Sequence, residues 1–160
     1  MSPIVKGGVA LGIATIVISL IFGFTGMYKN ASLGWVFQLA ATVAEVSLLI
    51  WVLRQTAVTR GYGGQIVAAL AFVIVAIPFI LANGYLFSGV LFPDSMEFAR
   101  QNAQDGMAAR GMSEGDIETS MEQMSFAFTP IFSAIMGAIM TGVVGLVTGL
   151  IAAIWIRKKD

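Results

Sequence analysis

The sequence predicts an all-α fold: a four-helix transmembrane bundle with a short extracytoplasmic helical hairpin between spans three and four. Of the 160 residues, 58% are hydrophobic and only 11% are charged, whereas a soluble domain carries about 25% charged residues. Four long segments are almost free of charge, and a membrane helix needs about 20 apolar residues to cross about 30 Å of hydrocarbon. These segments lack the alternation of barrel strands, so each must satisfy its peptide groups as a helix.

The four spans are predicted at residues 7–27, 33–53, 65–92 and 130–156 of a single integral membrane domain that covers residues 1–160. Short cytoplasmic loops carry an excess of lysine and arginine. The side that holds both termini carries more of these residues than the other side, so we predict that both termini are cytoplasmic. The first side has Lys6, Arg54, Arg60, Arg157, Lys158 and Lys159, and the other has Lys29, Arg100 and Arg110.

Composition excludes several classes of function. The chain has no histidine and no cysteine, which removes disulfides, cysteine-ligated zinc, iron–sulfur clusters, histidine-ligated haem and histidine-assisted nucleophiles. Net charge is zero and the basic residues are scattered, so nucleic acid is not an expected partner. We predict no enzymatic activity, no cofactor and no metal. The expected partners are the lipid bilayer and either further copies of this chain or other membrane subunits.

Residues 94–129 form the one sizeable polar segment, with seven acids and two arginines. Asp94 with Glu97, and Ser113 with Asp116, have the spacing of capping boxes, in which a side chain caps the first turn of a helix. We therefore predict two short helices that lie as a hairpin over the outer membrane face. The second helix carries one apolar stripe at helical spacing: Ile117, Met121 and Met124.

A strip of small residues, four apart, runs along span four: Ser133, Gly137, Thr141, Gly145, Gly149 and Ala153. Small residues let a second helix approach closely in a membrane. The strip therefore predicts tight packing, either within this chain or against another copy. Span one carries shorter versions at Gly8 and Gly12 and at Ser19 and Gly23, and we expect spans one and four to pack together.

Three polar residues lie inside the predicted spans. Glu45 is near the middle of span two, where a charge costs about 2.5–3.5 kcal/mol on insertion scales. Gln38 lies on the same face, and Asn83 of span three is the natural partner across the helices. Pro78 precedes Asn83 and predicts a kink, because proline removes a backbone hydrogen bond. We predict that Gln38, Glu45 and Asn83 form an intramembrane polar nucleus.

Two interpretations of Glu45 remain open. In the first, the side chain is protonated and holds helices together. It donates a hydrogen bond either to Asn83 or to the backbone carbonyl that Pro78 leaves without its helical partner. In the second, Glu45 is a carboxylate that binds a proton or a cation in a carrier. A carrier usually has inverted repeats, which this sequence lacks, so a carrier would have to be assembled from several copies.

The arrangement of motifs resembles a known family. Arg60 is followed by Gly63 and Gly64 before span three, which ends in Phe-Pro-Asp at 92–94. The acidic segment contains Gly-Met-Ser-Glu-Gly-Asp-Ile-Glu at 111–118, and the glycine-rich last span ends in Ile-Arg-Lys-Lys at 156–159. This layout resembles the bacterial four-span membrane family catalogued as domain of unknown function 4199. The resemblance implies a bacterial inner-membrane location and a stand-alone four-helix unit, and it brings no established activity.

From these observations we predict a non-enzymatic scaffold or accessory subunit that acts through helix packing and its acidic outer segment. The alternative is a small oligomeric transporter or channel that uses the membrane-embedded carboxylate of Glu45.

Overall fold

The computed structural model describes residues 1–158. Lys159, counted above with the cytoplasmic side, lies outside these residues. Six α-helices follow one another, and there is no strand among residues 1–158. The helices are α1 (Pro3–Phe24), α2 (Gly34–Thr56), α3 (Tyr62–Leu86), α4 (Asp94–Ala109), α5 (Glu114–Gln123) and α6 (Pro130–Trp155).

The predicted all-α fold is confirmed. α1, α2, α3 and α6 are each long and apolar enough to cross a membrane. One wide π-helical turn, Phe87–Leu91, extends α3. α3 also runs through Pro78 without interruption, and a kink at that residue stays a prediction.

Local capping sets where two of the long helices begin. α1 begins at Pro3, four residues before the predicted span, because the Ser2 hydroxyl accepts a hydrogen bond from the Val5 N–H at 3.4 Å. α6 begins in the same way, with Thr129 accepting from the Phe132 N–H at 3.3 Å and Pro130 at the first position. Serine and threonine are favoured caps, and proline is preorganised for the first turn.

The four long helices form a ring in the order α1, α2, α6, α3. α3 packs most extensively, on α6 and on α1, and the α2–α6 side is the least extensively packed of the four. α2 and α3 also touch across the middle, whereas α1 and α6 occupy opposite corners. The expectation that spans one and four pack together is therefore wrong. The glycines of α1 face α3 instead: a Cβ at Gly8 would lie 2.8 Å from the Phe72 carbonyl oxygen.

The apolar core occupies the half of the bundle at the end where α1 begins and α6 ends, here called the terminal end. Leu49, Val52, Leu53 and Phe72 are fully buried there. A polar interlock sits beside them. The Gln65 side-chain N–H donates to the Leu53 carbonyl at 2.9 Å, and the Gln65 side-chain oxygen accepts from the Thr56 hydroxyl at 2.7 Å. This pair satisfies its buried polar atoms, as stability requires, and it ties the start of α3 to the end of α2.

The opposite, distal end carries α4 and α5, which contact each other. The capping box at Ser113 is confirmed: its hydroxyl accepts from the Asp116 N–H at 3.3 Å and donates to the Asp116 carboxylate at 2.6 Å. Gly111, with a φ of +79°, separates the two helices. Met121 is buried, and Ile117 and Met124 are half-buried, so the predicted apolar stripe faces inward.

The capping box predicted at Asp94 is wrong. α4 begins at Asp94 itself, and no side chain caps it. The Asp94 carboxylate instead accepts a hydrogen bond from the Tyr28 hydroxyl at 2.9 Å and lies 3.5 Å from the Lys29 ammonium. The carboxylate therefore binds a neighbouring hydroxyl and a positive charge and does not cap the backbone N–H groups at the start of α4. The start of α4 is thus fastened to the loop between α1 and α2.

Candidate functional site: a cavity between the four helices

A cavity of about 340 Å³ lies in the distal half of the bundle, on the far side of the apolar core. All four long helices contribute to its wall. The lining residues are Leu11, Thr15, Ser19 and Phe22; Phe37, Gln38, Ala41, Thr42 and Glu45; Ile80, Asn83, Gly84 and Phe87; and Ser133, Ala134, Met136, Gly137, Met140, Thr141 and Val144. Most of this wall is apolar, which is typical of a site for a small lipophilic molecule.

Glu45 forms the base of the cavity. It lies at the middle of α2 and is only 4% exposed. Its Oε1 atom is fully buried and has no hydrogen-bond partner among the described residues. A buried polar atom without a partner costs about 1–3 kcal/mol. Such an atom therefore needs an explanation other than the stability of the bundle.

The three residues of the predicted polar nucleus all line this one cavity, but each amide bonds elsewhere. The Asn83 amide donates to the Ser19 hydroxyl at 2.7 Å, which joins α3 to α1. The Gln38 amide donates to the Thr42 hydroxyl at 3.4 Å within α2. Within the described chain, no hydrogen bond connects Glu45 to Gln38 or Asn83. The structure thus brings the three residues to one wall and leaves the carboxyl group separate.

The strip of small residues on α6 divides into two halves. Gly145, Gly149 and Ala153 are buried in the terminal half, and a Cβ at Gly149 would lie 2.6 Å from the Ala69 Cβ. The partner is therefore α3 of the same chain. In the distal half, Ser133, Gly137 and Thr141 line the cavity. A Cβ at Gly137 would meet only Ile80 Cγ2, at 3.7 Å, so the lack of a side chain there leaves open space.

Gly145 marks the boundary between the two halves of the strip. A Cβ on this residue would overlap Val73 Cγ2 of α3 and would lie 3.1 Å from Glu45 Oε1. Three helices therefore meet at this point, and the missing side chain at Gly145 provides the space that the Glu45 carboxyl group occupies.

Phenylalanine rings line the distal end of the cavity. Phe22 and Phe37 have ring centroids 5.3 Å apart, and Phe87 lies on the same wall. On the side between α2 and α6, three lining residues are exposed on the bundle surface: Gln38, Met136 and Met140. The cavity therefore reaches the surface sideways, where the bundle is least extensively packed.

Several residues of the site were not predicted from the sequence. In the sequence, Ser19 stood out only as a small residue of span one, and nothing singled out Thr42 as a member of the site. The feature that could have paired Ser19 with Asn83 is their depth in the membrane, because the two residues lie at similar distances from the distal ends of α1 and α3. The four acids of α5, Glu114, Asp116, Glu118 and Glu122, are all exposed. No cluster able to hold a metal ion occurs within residues 1–158.

Comparisons with known proteins give a family. No curated protein and no solved structure matches the chain significantly. The model of one family, described as a protein of unknown function (DUF4199), matches residues 6–158. The match covers nearly the whole chain, and the four long apolar helices agree with the four spans expected from the resemblance. The chain is therefore a member of the DUF4199 family of membrane proteins.

Proposed function

We propose that this membrane protein binds a small lipophilic molecule in the cavity between its helices, with Glu45 as the polar group that recognises it. The observation that carries the proposal is that Glu45, whose buried Oε1 has no hydrogen-bond partner among the described residues, lines a cavity of about 340 Å³. An ionisable residue at membrane depth is expensive and is a functional site by default. The mostly apolar cavity beside Glu45 supplies room for a guest.

The binding role is non-enzymatic in this proposal. Glu45 is the single acid on the cavity wall, and that wall carries no lysine or arginine. An activated nucleophile often relies on an adjacent base that a third group orients, and Glu45 has no second ionisable group beside it on this wall. One carboxyl group with hydroxyl and amide neighbours is suited to holding a ligand.

The scaffold or accessory role is the second candidate. The exposed acids of α5 favour it, since they give the distal end a strongly negative face that a basic partner would complement. The packing strip supports it less, because its terminal half packs against α3 of the same chain and its distal half lines the cavity. If several copies assemble and move the guest across the membrane, the binding role becomes that of an oligomeric transporter that uses Glu45.

For location, we propose the bacterial inner membrane with both termini in the cytoplasm and α4 and α5 outside. The support is the distribution of basic residues: Lys6, Arg54 and Arg60 belong to the terminal end of the bundle, together with Arg157 and Lys158. The Lys158 N–H also donates to the Arg60 carbonyl at 2.9 Å, which brings the basic residues of two elements together. Such a cluster favours the cytoplasmic side.

Labelling of single cysteines tests this orientation. The chain has no cysteine, and Gly115 and Gly63 are exposed glycines with open space around a Cβ. In intact cells, a membrane-impermeant maleimide is expected to label Gly115→Cys and to label Gly63→Cys only after the membrane is permeabilised. The reverse pattern would contradict the proposed orientation.

Filling the cavity tests the binding role. Gly137→Phe places a ring in the cavity, and Gly142→Phe is the matched control, because a Cβ at Gly142 meets nothing within 4 Å and Gly142 does not line the wall. Native mass spectrometry of the purified protein with 1-adamantanol is expected to show one bound probe per chain for wild type and Gly142→Phe. Gly137→Phe is expected to lose it. Equal binding by Gly137→Phe would refute the proposal, and so would failure of the wild type to bind both 1-adamantanol and the amine with the same body, 1-adamantylamine.

A further inference from the structure

We propose that the guest of this cavity is a lipophilic amine, that is, one ammonium group on a compact apolar body, which enters sideways from the lipid between α2 and α6. This inference rests on the binding function proposed above and adds the chemical class of the ligand. It is argued from the charge, the size and the opening of the cavity.

The charge of the wall selects a cation. Glu45 is the single ionisable side chain among the lining residues, and neither lysine nor arginine faces it there. An ionised carboxylate in this place has no countercharge and no hydrogen-bond donor for Oε1. A buried charge is tolerated when it is paired. A guest ammonium group supplies that countercharge and donates to the part of the carboxylate that lines the cavity.

The groups around Glu45 suit an ammonium head. Thr42 lies one turn before Glu45 on the same face of α2, and Thr141 lies one turn before Gly145 on the facing strip of α6. An ammonium group has several N–H donors, of which the carboxylate takes one or two. Hydroxyl oxygens on both sides of the carboxylate can accept the others.

The remainder of the cavity suits a compact apolar body. Its volume of about 340 Å³ is at the lower end of the range of roughly 300–1,000 Å³ for small-molecule sites. A cavity of this size is too small to enclose a whole phospholipid with two acyl chains. Phe22, Phe37 and Phe87 form the far wall from Glu45, so an apolar body that points away from the carboxylate would lie against aromatic rings.

The opening supports entry from the lipid. Met136 and Met140 line the cavity and are 38% and 44% exposed on the bundle surface. Methionine side chains are flexible and adapt to different shapes. They lie on α6 beside the least extensively packed side of the bundle, within the part of the helix that crosses the membrane. A guest that partitions into the bilayer therefore reaches Glu45 without crossing the distal aromatic wall.

The test compares two probes with the same body, 1-adamantylamine and the neutral 1-adamantanol, on the full chain in detergent. Binding is read by native mass spectrometry and by the shift of the thermal unfolding midpoint. Gly137→Phe measured under identical conditions corrects for partition into the micelle. The wild type is expected to bind the amine at least tenfold more tightly than the alcohol. In Glu45→Gln, which keeps the shape of the side chain, the two affinities are expected to become equal.

Each outcome decides between the proposals. Equal affinity of the wild type for the two probes would overturn the amine and leave the binding function standing. Absence of binding of either probe would overturn both. A preference for the amine that persists in Glu45→Gln would overturn the role of the carboxylate. If Glu45→Gln does not fold, the comparison of the two probes on the wild type still decides whether the guest is a cation.

Discussion

Gly145→Ile is expected to destabilise the bundle more than any other single substitution on α6. The new Cβ would overlap Val73 and press on the Glu45 carboxyl group at 3.1 Å, so α6 must move away from both α3 and α2. Overpacking of this kind typically costs about 1–3 kcal/mol, and a branched side chain belongs at the upper end of that range. Thermal unfolding of the purified protein in detergent measures the loss.

Gly142→Ile is the matched control for this substitution. It lies on the same helix and undergoes the same change in helix propensity, but a Cβ there has open space. Its unfolding midpoint is expected to stay within a few degrees of the wild-type value. If the two variants unfold at the same temperature, the close contact of α3 and α6 at Gly145 does not hold the bundle together.

Glu45→Met is expected to make the protein more stable and to remove its preference for an amine. Methionine is apolar and similar in length, so it removes the buried Oε1 that has no partner without leaving a large void. Relief of an unpaired buried polar atom is worth about 1–3 kcal/mol. The unfolding midpoint without ligand measures the gain, and probe binding measures the loss.

The same experiment separates the two interpretations of Glu45 that the sequence left open. If the carboxyl group holds the helices together through a hydrogen bond, Glu45→Met lowers stability and Glu45→Gln preserves it. If the carboxyl group serves a guest, Glu45→Met raises stability and Glu45→Gln changes it little. A lower midpoint for Glu45→Met would therefore contradict the binding role and favour the structural one.

The four long helices and the break before α5 followed from the sequence, because charge, hydropathy and capping act locally. Gly111 and Ser113 determine where α5 begins whatever surrounds them. The pairing of the helices did not follow. α3 is apolar on every side, so its sequence does not reveal that Phe72 and Phe79 face the glycines of α1 while Ala69 and Val73 face those of α6.

The candidate site could be predicted in part. The cost of a charge in lipid singled out Glu45, and helical spacing put Gln38 on its face. The partners of the amides depended on helix rotation, and so Asn83 bonds to Ser19. No pattern in the sequence predicts the cavity. Its volume depends on how the four helices are placed relative to one another, and no single segment determines that placement.

The division of the α6 strip has a consequence for how such proteins can diversify. Its terminal half, from Gly145 to Ala153, fastens α6 to α3, while Ser133, Gly137 and Thr141 only border the open space. Under the proposed function, substitution in the second group is expected to change which guest fits without altering the close contacts of Gly145 and Gly149 with α3. Selectivity for a guest would then depend on three positions, one turn apart, that differ from the positions at which α6 packs most closely on α3.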